Sequence, residues 1–310
     1  MVFYSLKREK RAITGLLLLD KPLGLSSNAA LTQVKILYGA QKAGHTGTLD
    51  PLASGLLPIC LGEATKFAGF MLNADKTYEA TIRLGRVTTT GDREGAVLME
   101  RPVDVTESAV REALTRFTGQ ISQIPPMYSA IKVQGRPLYQ MARQGVEIER
   151  EARDVIIHRL DLKAFESPFL KVSVTCSKGT YIRVLAEDIG LSLGCGGTLA
   201  ELRRTGTGDF SLDQAFTLEQ LALMSPIERD DQLTRPDGLV SHLPKVSLEE
   251  SEGQALLEGR PVLADSQIQS GIYRAYSKTG KFLGLVDTAD GIIKARRMMS
   301  MPFVSAADLS

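Results

Sequence analysis

Apolar residues recur along this chain with two periods, and the switches between them mark out the elements. Leu16–Leu19, between Gly15 and the Asp20-Lys21-Pro22 turn, form an apolar run of strand length. Ala30, Leu31, Val34 and Leu37 fall at helical spacing behind Ser26 and Ser27. Either serine suits a cap, so a helix is expected over about 28–37, with Gly39 after it. Residues 39–55 are glycine-rich and contain Asp50-Pro51, which predicts a loop, and 56–61 read as a short buried strand. Tyr78, Ala80, Ile82 and Leu84 share one side of a strand over 76–84, and 91–95 read as a turn. Thr106 caps an expected helix through Phe117, with Val110, Ala113 and Leu114 inward. Further on, 155–166 and 169–177 read as paired strands, 179–193 as a helix and 198–205 as a strand ending at Gly206.

Two segments break this texture. Residues 122–153 open with Ile124-Pro125-Pro126 and then carry Lys132, Arg136, Arg143, Arg150 and Arg153 against Glu147, Glu149 and Glu151. They read as an insertion, about 124–152, projecting from the sheet. After residues 241–245 the pattern changes to a short helix, 251–259, and three short strands, 272–275, 282–286 and 292–295, separated by glycine turns. That spacing suggests a small β-barrel-like module. The chain is therefore divided into a domain over 1–243 and a module over 244–310.

Composition changes this picture little. At 310 residues and 43% hydrophobic, the chain can bury a large core. The formal net charge of +1 argues weakly against a polyanionic partner, although the placement of charge matters more than its sum. Three widely spaced cysteines, Cys60, Cys176 and Cys195, suit a reducing compartment and small buried positions. With three histidines and no paired cysteines, no metal cluster forms by proximity in sequence. No segment approaches the roughly 20 apolar residues of a membrane span, so a soluble, cytoplasmic protein is expected.

Chemistry concentrates at 44–58, where three glycines surround Asp50-Pro51. Glycine permits tight turns, and Pro51 biases Asp50 toward extended geometry, so one carboxylate is held rigidly. An isolated Asp-Pro is ordinarily a turn. A phosphate-binding loop is excluded because no Gly-Lys-Ser/Thr follows. The run GHTGTLDPLASGLLPICLGEATKF (44–67), however, closely resembles the active-site motif of TruB-type tRNA pseudouridine synthases. LLLLDKPLGLSS (16–27), DKTYEATIRLG (75–85), IPPMYSAIKVQGRPLYQMARQGVEIER (124–150), CSKGTYIRVLAEDIG (176–190) and LRRTGTG (202–208) agree in the family's order.

The resemblance implies an α+β catalytic domain with a mixed, mostly antiparallel sheet flanked by helices, and a small C-terminal module of the PUA-like, RNA-binding kind. It implies isomerisation of the T-loop uridine of tRNA, position 55, to pseudouridine. The C1′–N1 bond is cut, the base turns, and C5 joins C1′. Asp50 is the implied catalytic carboxylate, and whether it attacks C1′, attacks C6 or removes a sugar proton is open. Hydrolysis of a glycosidic bond ordinarily uses two flanking carboxylates, and no motif supplies a second.

By the same resemblance Arg183 pairs with Asp50, and a nearby guanidinium favours a charged carboxylate. Asp92 anchors the other side of Arg183, although 86–93 departs from the family's Thr-Asp-Thr-rich pattern. Tyr78 stacks on the target base and assists proton transfer at C5. His45 supports the extruded nucleotide, and Leu202 walls the base pocket. Lys21 is chiefly structural, with a place near the site as a secondary role. The insertion, with Lys132 and Arg143, clamps the tRNA T stem-loop. Arg203, Arg204, Lys294, Arg296 and Arg297 are candidates for phosphate contact. No cofactor is implied, because an isomerisation needs neither redox equivalents nor energy input. A monomer is expected. Two other readings stand beside this one: a synthase working inside a guide-RNA particle, and a tRNA-folding chaperone with a weak or absent catalytic role.

Overall fold

The structure, a computed structural model, describes residues 10–300 apart from 130, 134 and 143. It divides into one unit over 1–50, 57–72 and 214–310 and a second over 51–56 and 73–213. The first unit opens with β1 (Gly15–Lys21), α1 (Ser27–Leu37) and β2 (Ala43–His45). Strand β3 (Ala53–Leu61) runs through both units, and α2 (Ala68–Met71) follows it. The second unit continues with β4 (Lys76–Leu84), β5 (Arg86–Thr88), β6 (Val97–Glu100), α3 (Glu107–Arg116) and β7 (Gly119–Gln123). Next come β8 (Lys132–Val133), β9 (Arg136–Pro137), α4 (Leu138–Ala142), β10 (Arg153–Glu166) and β11 (Phe169–Cys176). It ends with α5 (Ile182–Ser192), β12 (Gly197–Thr207) and β13 (Phe210–Ser211).

In the second unit the strand order is β3-β12-β4-β11-β10-β7. The β12–β3 pair is parallel and the others are antiparallel, so the sheet is mixed and mostly antiparallel. The period-two pattern of β4 explains its place at the centre. Ala80, Ile82 and Leu84 are buried, and they share a core with Ile182, Leu185, Ala186 and Ile189 of α5 and with Val110 and Leu114 of α3. Burying each valine, leucine or isoleucine of this core is worth about 1.5–3 kcal/mol. The hydroxyl of Thr106 accepts from the Ala109 N–H and starts α3 where the sequence places it.

In the first unit β1 and β2 both pair with β3. Leu17 and Leu19 pack with Ala30 and Val34 of α1 and with Leu57, Ile59 and Leu61 of β3. The C-terminal part contributes α6 (Leu218–Leu223), α7 (Pro226–Asp231), β14 (Lys245–Leu248), α8 (Glu250–Leu257), β15 (Val262–Leu263), β16 (Gly271–Ser277), β17 (Phe282–Ala289) and β18 (Ile292–Met298). Its five-stranded sheet runs β14-β16-β17-β18-β15, around a core of Val246, Leu248, Leu256, Ala275, Val286 and Ile293. Phe282 stacks obliquely on Phe67, with centroids 5.3 Å apart, and the Tyr276 hydroxyl donates to Asp237 at 2.7 Å. Among the described residues no helix is long and apolar enough to cross a membrane.

Several expected boundaries need correction. The loop expected over 39–55 is interrupted by β2, and β3 starts at Ala53 rather than residue 56. Both extensions are stabilised by partners distant in sequence: β2 pairs with Ile59–Leu61, and Ala53–Gly55 pair with Leu202–Arg204. Helix α5 begins at Ile182, not at Gly179, which stays in a turn. Helices α6 and α7 were not anticipated, although Thr217 with Gln220 and Ser225 with Glu228 form capping boxes whose spacing is visible in the sequence.

Candidate active site

Asp50 lies exposed on the turn that leads into β3, and its neighbours Leu49 and Leu52 are each only 3% exposed. The two leucines anchor the turn from either side of the carboxylate. A second restraint comes from Ser27, the buried first residue of α1. Its hydroxyl accepts from the Leu49 N–H at 2.7 Å and donates to the Leu49 carbonyl at 2.9 Å. One side chain thus satisfies both backbone groups of the residue before Asp50, groups that are costly to leave unpaired when buried. His45 is on β2, half-buried, and its Nδ1 accepts from the Gly47 N–H at 3.4 Å. That hydrogen bond is local, within the same glycine-rich turn.

In the second unit Tyr78 and Leu202 share one face of the sheet. Ala80 pairs with Leu202 and Tyr78 with Arg204, so these four side chains point the same way, toward the side covered by α5. Leu202 also pairs with Ala53 at the start of β3. Arg204 overturns an expectation. It is 2% exposed, its Nε donates to the Leu56 carbonyl at 2.6 Å, and its guanidinium is hydrogen-bonded to the side chain of Tyr78. It is therefore not a phosphate contact, because the strand register turns it inward. Arg203, next to it, donates to the Ser54 hydroxyl at 3.2 Å. The backbone is closely packed here: Gly55 has φ +101°, and a Cβ would lie 2.2 Å from the Arg204 carbonyl oxygen.

Arg183 projects from the first turn of α5 and is 7% exposed. Its Nη1 donates to Asp92 Oδ2 at 3.3 Å and to the Thr90 carbonyl at 3.4 Å, and its Nη2 donates to the Tyr128 carbonyl at 2.7 Å. Asp92 is itself fixed. Its Oδ1 accepts from the Thr90 hydroxyl at 2.6 Å and from the Glu94 N–H at 3.1 Å, and its backbone bridges to Leu199 of β12. A carboxylate with three donors is held in one geometry. Glu187, one helical turn after Arg183, lies over Gly91, where a Cβ would meet its carboxylate at 2.8 Å. Burial pushes the Glu187 carboxyl up to about 7, with Asp188 and Asp92 adding to the rise and Arg183 opposing it.

The other expected residues fall in varied settings. Lys21 is fully buried, and its ammonium donates to the Pro22 and Leu25 carbonyls at 2.9 and 2.7 Å, closing the turn after β1. Lys132 is exposed on β8, and Arg143 lies outside the described residues. Lys294, Arg296 and Arg297 are exposed on β18, where Arg296 pairs with Asp287 at 2.8 Å. Cys60, Cys176 and Cys195 are all buried.

Two positioning residues escaped the sequence reading. The sequence offers Ser27 as a cap or as a structural residue without naming a partner; Ser26 caps α1 and Ser27 holds Leu49. Gln123 was not singled out. Tyr181, at the start of α5, has no side-chain cap. The Gln123 amide instead accepts from its N–H at 3.0 Å and donates to its carbonyl at 3.3 Å, which fixes the turn that carries Arg183. No local signal reveals either contact, because each joins segments far apart in the chain.

Residues 35–182 match the TruB family pseudouridylate synthase N-terminal domain. Residues 183–241 match the tRNA pseudouridylate synthase B C-terminal domain, and 244–299 match the C-terminal domain of pseudouridine synthase II TruB. The tRNA pseudouridine synthase B of Methylobacillus flagellatus is 53% identical over 294 residues, covering 94% of this chain and 97% of that protein. The protein of the same name from Pseudomonas aeruginosa is 50% identical over 300 residues, covering 95% and 99%. Among solved structures, a chain of a Cbf5-Nop10-Gar1 complex aligns with a TM-score of 0.71 at 26% identity, covering 96% of this chain and 87% of that one. A chain of the archaeal box H/ACA sRNP Nop10-Cbf5 complex gives 0.69 at 24%, covering 94% and 86%, a likeness of fold.

Proposed function

Since the chain belongs to the TruB family of pseudouridylate synthases and is an isomerase acting on tRNA uridine, we propose that its target is the T-loop uridine, position 55, and that Asp50 drives the cleavage of the C1′–N1 bond. The observation that carries this reading is the setting of Asp50: an exposed carboxylate on a turn held by two buried leucines and by Ser27. Cleavage builds cation-like character on the ribose or needs an electron-rich group added to the base, and a fixed, ionised carboxylate serves either need. Preorganised charge of this kind is effective because it need not reorient as the reaction proceeds.

The uridine is stacked inside a folded loop, so it is extruded first, at a cost of a few kcal/mol. Tyr78 stacks on the extruded base, worth about 1–3 kcal/mol, and Leu202 forms an apolar wall beside it. In this reading Arg183 is the cationic partner of Asp50, while Asp92 holds Arg183. His45 supports the extruded nucleotide. After the base turns and C5 joins C1′, Tyr78 assists removal of the C5 proton. The insertion, through Lys132 and Arg143, grips the T stem-loop. The module over 244–310 adds phosphate contacts through Lys294, Arg296 and Arg297. The reading is of a monomer acting in the cytoplasm.

The test uses a T stem-loop transcript labelled with tritium at C5 of its uridine and the purified protein alone. Release of tritium into water is expected from the wild type and none from Asp50→Ala. Because no guide RNA or second protein is added, a synthase that depends on a guide particle releases nothing. Identities of 50–53% to enzymes named for tRNA, against 24–26% to chains of the two Cbf5–Nop10 complexes, support the stand-alone reading. Undiminished release by Asp50→Ala removes the assignment.

A further inference from the structure

Arg204 is the largest side chain in the fully buried set, and nothing in the chemistry assigned above uses it. A guanidinium does not lose its proton inside a protein, so its charge has to be met where it sits. Two of its contacts link it to the neighbouring strands. The Nε donates to the Leu56 carbonyl at 2.6 Å, which locks the group to β3. The guanidinium also meets the side chain of Tyr78, its register partner across the β12–β4 pair. Since arginine has only donors, the phenol oxygen is the acceptor.

We propose that Arg204 is a positioning residue for Tyr78: from inside the sheet it aims the phenol oxygen and stabilises the negative charge on that oxygen during proton transfer at C5. This rests on the reading of Tyr78 given under the proposed function. In the step concerned, the C5–H bond breaks and its electron pair re-forms the C5=C6 double bond. The proton passes to the phenolate oxygen of Tyr78 and then to water, while N1 of the turned base takes a proton from water. A phenolate beside a buried, fixed cation is a charge-assisted pair in a low-dielectric setting, where such pairs are strongest. A second cation reinforces the same polarity. Lys76 lies two positions before Tyr78 on β4 and is 9% exposed, and burial together with the Arg204 charge pushes its ammonium down to about 8. Strand pairing on both sides holds the Arg204 backbone in place, against Gly55 of β3 and Tyr78 of β4.

Arg204→Lys keeps the charge but loses the planar fork that reaches Leu56 and Tyr78 together, and its folding is checked by thermal melting. On the tritiated T stem-loop, with protein in excess, the single-turnover rate is expected to fall about 10²-fold with transcript affinity unchanged. The rise of its rate with pH moves to higher pH. In a Tyr78→Phe background, Arg204→Lys adds no further loss. A readout without activity guards against variants too slow to assay. The absorbance of ionised tyrosine is titrated in the intact protein and in Tyr78→Phe, and the difference isolates Tyr78. Its midpoint moves upward when Arg204→Lys is introduced. The inference is overturned if the two substitutions lower the rate multiplicatively, or if the Tyr78 titration is unmoved. In either case Asp50→Ala still abolishes release if the wider reading of the site holds, so the two failures are told apart.

Discussion

Glu187 shows how far a residue's behaviour departs from its sequence context. In the helical run Ile182–Ser192 it reads as an ordinary glutamate, but Gly91 brings a backbone close over its carboxylate and burial raises its proton affinity. The shift runs upward, from 4.5 to about 7, so the folded protein keeps a proton that the unfolded chain releases between those values. Stability therefore falls as pH rises through that window, and the penalty is complete above it. Glu187→Gln removes the charge and keeps the shape. It is expected to stabilise the protein by about 1–2 kcal/mol at pH 8, after allowance for screening of a partly exposed group, and by nothing near pH 4. Melting curves at the two pH values check this, and equal gains at both would refute it. Asp50 and Tyr78 were legible as candidates because their motifs are local. The inward turn of Arg204 was not, because Arg203-Arg204 in isolation has the look of a basic surface patch.

At the scale of elements, two junctions govern the setting of Asp50. The first is the bond pair between Ser27 and Leu49. Ser27→Ala leaves a buried N–H and carbonyl unpaired, at about 1–3 kcal/mol of stability. Loosening the turn is also expected to lower turnover about 10²-fold, the scale associated with small misplacements of a reacting group. Chemical denaturation and the tritium assay measure the two effects, and a variant matching wild type in both would show that the contact restrains nothing. The second junction is the parallel pairing of β3 with β12. Gly55→Ala forces a Cβ to 2.2 Å from a carbonyl oxygen at positive φ. We expect a loss of about 3 kcal/mol or more, read as a lower urea midpoint, from overpacking and backbone strain together. The strands and helices carrying these junctions follow from periodicity, as the match of β4 to residues 76–84 illustrates. The ends that extend beyond expectation, β2 and Ala53–Gly55, exist only because distant strands pair with them.

For the whole molecule, charge placement matters more than charge balance. A net charge of +1 conceals exposed basic residues on β18, including Lys294 and Arg297. If these meet tRNA phosphates, Lys294→Glu with Arg297→Glu should weaken binding to every tRNA alike. The slope of log affinity against log salt should become shallower by about 1–2. Filter binding across a salt series decides it, and an unchanged slope would exclude β18 from the interface. Turnover of the T stem-loop at saturating protein should be unaffected by the same pair, since these residues act on grip rather than on chemistry.

By itself the sequence determined the local elements, the α+β class and the motifs that mark the family, because each depends on spacing within a few turns or on residues adjacent in the chain. Only the tertiary structure decided that Ser27 restrains the turn before Asp50, that Gln123 starts the helix of Arg183, and that Arg204 is buried opposite Tyr78. Those contacts join distant segments through strand register and burial. The energy of a hydrogen bond or a charge depends on what surrounds it once the chain has closed on itself, a property no stretch of sequence contains.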